Sequence, residues 1–280
     1  MKKSIIKKIL YYIALIITAI MFMFPLIWMV VSSFKSEAAI MSDVTSMKAF
    51  ILPKIGKDIF NNYIEIFQQL PIIKAELNSL FYILIIIVLS LLVNSLAGYA
   101  FARLKFPFKN FIFAVLLSLM IIPGQTIMLP LFSMVYKLGW VNSYLGLIFP
   151  VIANPFYIFL FRQTFLKIPK EIEEAARIDG AGSYTIFFKL IMPLAKPIYA
   201  TVSILTFIAL WNDFLWPVMV ISDPTKQTIQ MALSTLFSIQ PINHGHIMAA
   251  LSAVTVPVVV IFLLLQRYYV QGIAGAGSKN

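Results

Sequence analysis

Six apolar stretches alternate with polar segments along the chain. A helix of about 20 predominantly apolar residues crosses the hydrocarbon core of a bilayer. The stretches therefore predict transmembrane helices at residues 9–31, 77–101, 111–135, 144–161, 198–220 and 247–265. The first is longer than the apolar core of a signal peptide, which has about 7–15 residues, so we expect it to be retained. Prolines interrupt the third and the fourth stretch and predict breaks inside them.

Three of the segments between these stretches are long and too polar to cross a membrane. Two of them are residues 32–76 and 222–246, and the run IFNNYIEIFQQL within the first predicts a short amphipathic surface helix. The third, residues 168–197, lies between the fourth and fifth apolar stretches and reads IPKEIEEAARIDGAGSYTIFFKLIMPLAKP.

The segment 168–197 has the features of two short helices joined by an elbow. A proline and three glutamates open the first helix, where carboxylates complement the positive end of its dipole. Gly180 and Gly182 predict a break, because glycine can adopt the left-handed conformation that ends a helix. Ser183 is then the expected N-cap of a second helix over about 184–190, which Pro193 would end. The pattern indicates a bent hairpin lying at the membrane surface.

Composition and charge indicate the class of protein and its orientation. Of the 280 residues, 61% are hydrophobic and 12% are charged, whereas soluble domains have about a quarter charged residues. We therefore expect an all-α integral membrane protein, with residues 1–280 forming one transmembrane domain. Short cytoplasmic loops collect Lys and Arg, and a cytoplasmic N-terminus places 15 of the 22 basic residues inside. Both termini and the hairpin are then cytoplasmic, and segments 32–76 and 222–246 are external.

Residue types that carry catalysis or bind metals are sparse. The chain has no Cys, which excludes disulfides and thiolate metal sites. Its two histidines, His244 and His246, have no carboxylate close by in the sequence, so we expect a polar loop turning at Gly245 rather than a metal site. The chain also lacks the P-loop pattern for ATP. We expect no catalytic residue, metal or bound cofactor, and the net charge of +11 reflects membrane orientation rather than a nucleic-acid partner.

Polar side chains within the predicted spans are candidates for a translocation pathway, because irregular helices at membrane depth are tolerated around a water-filled cavity. The candidates are Asn78, Asn94, Gln125, Asn154, Asn212 and Asp213. For each amide, a hydrogen bond between helices is the competing interpretation. Asp213 is the sole carboxylate in a predicted span, and it is either a structural cap near the tryptophans of WNDFLWP or a pathway residue.

The hairpin also carries a spaced motif: Glu174-Ala175-Ala176, three residues, Gly180, nine residues, an aliphatic residue, any residue, then Met192 and Pro193. This pattern resembles the EAA loop of ABC importer permeases, with Met192 in place of the usual Leu. Four more segments resemble the carbohydrate-uptake branch of that family, in particular the second permease of maltose/glycerol-phosphate-type systems. They are AGYAFARLKFP (97–107), WNDFLWP (211–217), ISDPTKQTIQMALS (221–234) and QRYYVQGI (266–273).

The resemblance implies a type I ABC importer permease fold and a coupling role for the hairpin. In that family the EAA hairpin docks into a groove on a cytoplasmic ATPase. The residues expected to couple this chain to an ATPase are Glu174, Ala175, Ala176, Arg177, Asp179, Gly180, Ala181 and Pro193. Glu174 looks like the charged contact, the two alanines allow close approach and Gly180 makes the elbow, whereas Arg177 fits a solvated face equally well.

The resemblance further implies a set of partners in the bacterial cytoplasmic membrane. They are a second permease subunit, two copies of a cytoplasmic ATP-binding subunit that hold ATP-Mg, an extracytoplasmic solute-binding protein, and membrane lipid. The external segments 32–76 and 222–246 would receive the binding protein. The implied solute is a carbohydrate, with a glycerol-phosphate-type compound as the alternative. A membrane subunit without a transport role and an intramembrane enzyme are the competing classes of protein.

Overall fold

The computed structural model describes the backbone of residues 2–56 and 58–277 and the side chains of residues 6–56 and 58–264. Throughout these residues the regular secondary structure is helical, without a strand. The helices are α1 (Lys2–Ser32), α2 (Glu37–Asp43), α3 (Asn61–Gln69), α4 (Ile72–Arg103), α5 (Lys109–Ser118), α6 (Gly124–Lys137), α7 (Tyr144–Ile148), α8 (Pro155–Lys167), α9 (Lys170–Ile178), α10 (Ser183–Ile186), α11 (Met192–Leu194), α12 (Lys196–Trp211), α13 (Leu215–Val220), α14 (Ile229–Leu236) and α15 (His244–Gly277). Short 3₁₀ turns lie at Met47–Phe50, Leu119–Ile121, Phe149–Val151 and Pro224–Lys226, and a π turn at Phe187–Ile191.

Three helical segments are long and apolar enough to cross a membrane alone. They are Ile6–Ser32 in α1, Ile72–Arg103, which is α4, and His244–Leu264 in α15. Three pairs of helices meet the same test jointly but are bent at a break. They are Lys109–Ile121 with Gly124–Lys137 (104°), Tyr144–Val151 with Pro155–Lys167 (46°), and Ser183–Leu194 with Lys196–Trp211 (78°). The described residues thus hold three spans, or up to six if each bent pair is one span, and the count of six stays a prediction.

The third and fourth predicted spans break at Pro123 and Pro155 as predicted, but the further break expected at Pro130 is absent, because α6 continues through that residue. The stretch 111–135 breaks at Ile122 and Pro123, and the stretch 144–161 breaks before Pro155. Proline removes a backbone donor and restricts the residue before it, so a helix ends at or just before it.

The fifth predicted span, residues 198–220, is not one helix, because α12 ends at Trp211. The carbonyls of Leu210 and Trp211 accept hydrogen bonds from Tyr82 Oη (3.1 Å) and Gln230 Nε2 (2.9 Å). Side chains from other elements therefore satisfy backbone groups that a continuous helix would otherwise bond internally.

Contact clustering divides the chain into two compact units, and the first consists of Met1–Lys74 with Ala232–Pro257. Most of the predicted external segment 32–76 belongs to it and is largely ordered into helices. The expected amphipathic helix is confirmed as α3. The amide of Asn62 on α3 donates to the carbonyls of Ser33 and Lys35, both at 2.8 Å. The ammonium of Lys35 is buried, and it donates to Asp43 Oδ2 at 3.0 Å and to the Lys48 carbonyl at 2.6 Å.

The second unit, Ala75–Met231 with Val258–Asn280, contains the core that positions the hairpin. Aromatic and aliphatic side chains of α4, α8, the hairpin and α12 form one buried cluster, centred on Phe161, Phe165, Ile186, Phe187, Ile191 and Val202. Gly98 lets α4 and α8 approach closely, since a Cβ there would lie 2.6 Å from Phe161 Cβ. The hairpin is thus packed against this core along one side.

Candidate functional site

The elbow of the hairpin is a left-handed glycine, as predicted. Gly180 has φ +84°, a conformation that side-chain-bearing residues rarely adopt. The N–H of Gly180 donates to the Arg177 carbonyl at 3.0 Å, and the N–H of Ala181 donates to the Ala176 carbonyl at 2.9 Å. This pair of bonds is the Schellman arrangement that ends a helix and satisfies its last carbonyls. The elbow therefore depends on local backbone chemistry.

The second arm of the hairpin differs from the prediction at both ends. Gly182, with an ordinary φ of −71°, is the N-cap, and Ser183 is already helical. The helical path does not end near Leu190 but continues to Leu194. The chain widens into a π turn at Phe187–Ile191 just before Pro193, and a π turn is a recognised way to fit an irregular step into a helix.

One side of the hairpin faces outward and contains most of the predicted coupling residues. Those with exposed positions are Glu174, Ala175, Arg177, Asp179, Gly180 and Pro193. Ala176 and Ala181 are half-buried and pack against the hydrophobic cluster instead. Two large apolar side chains that sequence analysis missed share the exposed surface: Ile178 is 87% exposed and Tyr184 is 80% exposed. The sequence signal for them was a large apolar residue on each side of the small and polar run DGAGS (179–183).

The other side of the hairpin is held by a buried ion pair that the sequence analysis also missed. Glu173 is 5% exposed; its Oε1 accepts a hydrogen bond from Arg103 Nε, and its Oε2 accepts one from Tyr99 Oη at 3.0 Å. Arg103 Nη2 donates to the carbonyl of Ile168, at the start of the hairpin, at 2.6 Å. Tyr99 and Arg103 belong to AGYAFARLKFP, a segment that carried the family resemblance without an assigned role.

The candidate pathway residues Asn94 and Asn154 contact one another at the break before α8. Asn94 is fully buried, and its amide donates to the Ile152 carbonyl at 2.8 Å and to Ser90 on its own helix. Its Oδ1 accepts from the N–H of Asn154 at 2.8 Å. Asn154 in turn caps α8 by accepting from the N–H of Phe156 at 2.9 Å. These contacts support the competing interpretation, in which Asn94 and Asn154 form hydrogen bonds between helices rather than line a translocation pathway.

The other four candidates lie apart from this pair. The amide of Asn78 donates to the carbonyls of Thr225 (2.9 Å) and Gln227 (3.0 Å), and so holds the polar turn after α13. Asn212 is exposed and donates to the Ile208 carbonyl of its own helix. Gln125 is exposed near the start of α6.

Asp213 lies in the break between α12 and α13. One oxygen of its carboxylate is 3.4 Å from the N–H of Trp216, in the first turn of α13. The N-cap of α13 is Phe214, so Asp213 contacts the first turn of that helix from one residue before the cap. A pathway role for Asp213 stays a prediction.

The two histidines of the first unit do not lie in a loop that turns at Gly245. Helix α15 begins at His244, so Gly245 is helical. The Asn62 side chain packs closely against Gly245, because a Cβ on that residue would lie 2.7 Å from Asn62 Nδ2. Carboxylates distant in sequence reach both rings: Glu37 Oε1 is 2.7 Å from His244 Nδ1, and Glu65 Oε2 is 2.9 Å from His246 Nε2. Among the described residues no group of three or more metal-ligating side chains gathers.

Glu37 also caps α15, because its Oε2 accepts from the backbone N–H of His244 at 2.7 Å. Burial alone would raise the pKa of Glu37, but the hydrogen bonds and the charge of His244 outweigh it. The pKa of Glu37 therefore lies below its usual value of 4.5.

Comparisons with known proteins identify the family. Residues 94–275 match the family described as "Binding-protein-dependent transport system inner membrane component". The chain is 36% identical over 258 residues to an arabinooligosaccharides transport system permease protein of Halalkalibacterium halodurans, covering 92% of this chain and 91% of that protein. It is 31% identical over 268 residues to a lactose transport system permease protein of Rhizobium radiobacter, covering 96% and 95% of the two chains.

The fold matches a solved transporter as well. A chain of a bacterial ABC transporter involved in the import of the acidic polysaccharide alginate superposes with a TM-score of 0.83. The two sequences are 25% identical, and the match covers 96% of this chain and 98% of the other. Sequence and structure agree, and the chain belongs to the family of inner membrane components of binding-protein-dependent transport systems.

Proposed function

We propose that this chain is the permease subunit of an ABC importer that carries a carbohydrate across the cytoplasmic membrane by alternating access. The single observation that carries the solute class is the similarity over nearly the whole chain to permeases named for arabinooligosaccharides and lactose. The structural match to an alginate importer supports the same class of solute. Both termini and the hairpin are cytoplasmic in this proposal, which follows the distribution of basic residues.

The hairpin at 168–197 couples this chain to a cytoplasmic ATPase in the proposal. Its outward surface combines a carboxylate, Glu174, with a small residue, Ala175, and two exposed apolar side chains, Ile178 and Tyr184. Large exposed apolar side chains beside polar groups are typical of a surface that a partner covers. A hairpin of this chemistry fits a groove with an apolar floor and a basic rim.

The complete importer needs partners that this chain does not contain. ATP-Mg is held by two copies of a cytoplasmic ATP-binding subunit, since this chain has no P-loop. A second permease completes the translocation cavity, and an extracytoplasmic solute-binding protein docks on the external segments 32–76 and 222–246. Closure of the ATPase dimer moves the hairpins and switches the cavity between its two orientations, as in other alternating-access transporters.

A charge reversal tests the coupling role. Glu174→Lys is expected to abolish copurification of the ATPase and solute uptake, with normal insertion of the permease in the membrane. Tyr184→Ala is expected to weaken copurification through lost apolar contact, without a change of charge. Asp58→Lys, the same reversal at an exposed position of the external segment, is the matched control and leaves ATPase copurification intact. Normal uptake by the Glu174→Lys importer would show that the coupling assignment is wrong.

A binding assay tests the solute class. The solute-binding protein of the same importer is titrated with arabino-oligosaccharides, lactose and a glycerol-phosphate compound, and uptake of each is measured with and without this chain. Saturable sugar binding together with chain-dependent sugar uptake is expected. Uptake of the glycerol-phosphate compound without uptake of either sugar would refute the carbohydrate assignment and support the alternative solute class.

A further inference from the structure

Of two adjacent glutamates in α9, Glu173 is buried and Glu174 is exposed, and the coupling role proposed above uses only Glu174. We propose that Glu173, with Arg103 and Tyr99, forms a clamp that makes the hairpin and the cytoplasmic end of α4 move as one body. The inference rests on the proposed function of the hairpin and adds the route by which its displacement enters the membrane helices. Glu173, Arg103 and Tyr99 are positioning residues in this scheme.

Both carboxylate oxygens of Glu173 accept hydrogen bonds within the clamp. One carboxylate oxygen accepts from Arg103 and the other from Tyr99, and the side chains of Arg103 and Glu173 are only 4% and 6% exposed. Arg103 also donates to the Ile168 carbonyl at 2.6 Å. A single guanidinium therefore binds the hairpin at two points, its beginning and the first turn of α9.

The surroundings of the clamp keep water away from these contacts. The ring of Tyr99 lies 6.1 Å from that of Phe165 on α8 and 5.2 Å from that of Phe187 in the second arm of the hairpin. Gly98, one residue before, lets α8 approach α4. Water cannot easily solvate the two charges at this buried position once they separate. The free-energy cost of breaking the ion pair is therefore high.

The clamp joins elements that are distant along the chain. Arg103 and Glu173 are 70 residues apart in sequence, and α4 is a continuous helix of 32 residues, about 48 Å long. Without the clamp, covalent connections pass a hairpin movement only to α8 and α12, and apolar packing alone joins the hairpin to α4. With it, the same movement acts directly on the end of a membrane-length helix. A buried, two-point contact resists sliding, so the two elements shift together rather than past one another.

The clamp is tested by variants that change ATP use per solute without changing the docking of the ATPase. Glu173→Gln keeps the size of the side chain and removes its charge at a buried position, and it leaves the exposed Glu174 unaltered. We expect the assembled importer to retain its ATPase subunits while ATP hydrolysed per solute transported rises about tenfold, within the range of coupling between distant sites. Glu171→Gln, an exposed carboxylate of the same helix, is the matched control and leaves this ratio unchanged. Loss of the ATPase from Glu174→Lys, with retention in Glu173→Gln, distinguishes the clamp from the docking surface.

A distance measurement adds a readout that a purely stabilising role would not change. The chain has no Cys, so spin labels can be placed at Lys170→Cys and Leu104→Cys, both exposed. In the unaltered clamp, the distance between the labels is expected to stay the same with and without bound ATP. In Arg103→Lys, which keeps the charge but loses the two-point fork, the distance is expected to change or broaden on ATP binding. An ATP-dependent distance in the intact clamp, or unchanged ATP use per solute in Glu173→Gln, would overturn the proposal.

Discussion

The buried amide of Asn94 is predicted to stabilise the break before α8 rather than to contact solute. Replacement by Leu, of similar size, removes the hydrogen bonds to the Ile152 carbonyl and from the Asn154 N–H. Hydrogen bonds between membrane helices contribute about 0.6–1.7 kcal/mol each, so two of them amount to about 1–3 kcal/mol. For a chain of this length, 1 kcal/mol changes the melting temperature by about 2–4 °C. Asn94→Leu is therefore expected to lower the melting temperature by about 2–12 °C.

The assay is thermal unfolding of the purified importer in detergent, followed by tryptophan fluorescence, alongside solute uptake in cells. Asn212→Leu is the matched control, because Asn212 is exposed and its amide donates to its own helix. Its melting temperature is expected to stay close to that of the wild type. If Asn94→Leu unfolded at the wild-type temperature but lost uptake, Asn94 would belong to the translocation pathway and the structural reasoning would fail.

Two further predictions concern close packing and pH. Gly98→Ala places a Cβ 2.6 Å from Phe161 Cβ, so overpacking should cost about 1–3 kcal/mol of stability; Gly124→Ala, where nothing lies within 4 Å, should melt like the wild type. Because the pKa of Glu37 is held below 4.5, its contribution is present above that pH and is lost as pH falls through the lowered pKa. The melting temperatures of Glu37→Gln and wild type should therefore differ at neutral pH and converge below pH 4.5. A difference that stayed constant down to pH 3 would contradict the role of Glu37.

Local patterns predicted what depends on short-range chemistry. The conformation of Gly180 is a property of three or four neighbouring residues, and the structure has it at φ +84°. The break before Pro155 and the amphipathic helix α3 have the same short-range origin. The prediction that the second hairpin arm ends near Leu190 was wrong, because Pro193 lies in the first turn of α11, directly after the π turn, where its missing N–H is not needed.

Apolar length and composition were enough to predict a membrane protein, and the spacing from Glu174 to Pro193 pointed to the permease family through its resemblance to the EAA loop. The coupling role of the hairpin stays a prediction. Which of the two neighbouring glutamates is buried depends on tertiary packing. Glu173 and Glu174 are neighbours of identical chemistry, and Glu173 is buried because the packing of α4 brings Arg103 to it from 70 residues away. Asn94 and Asn154 meet for the same reason. Contacts between distant residues depend on how helices pack, and the local order of apolar and polar residues does not encode that packing.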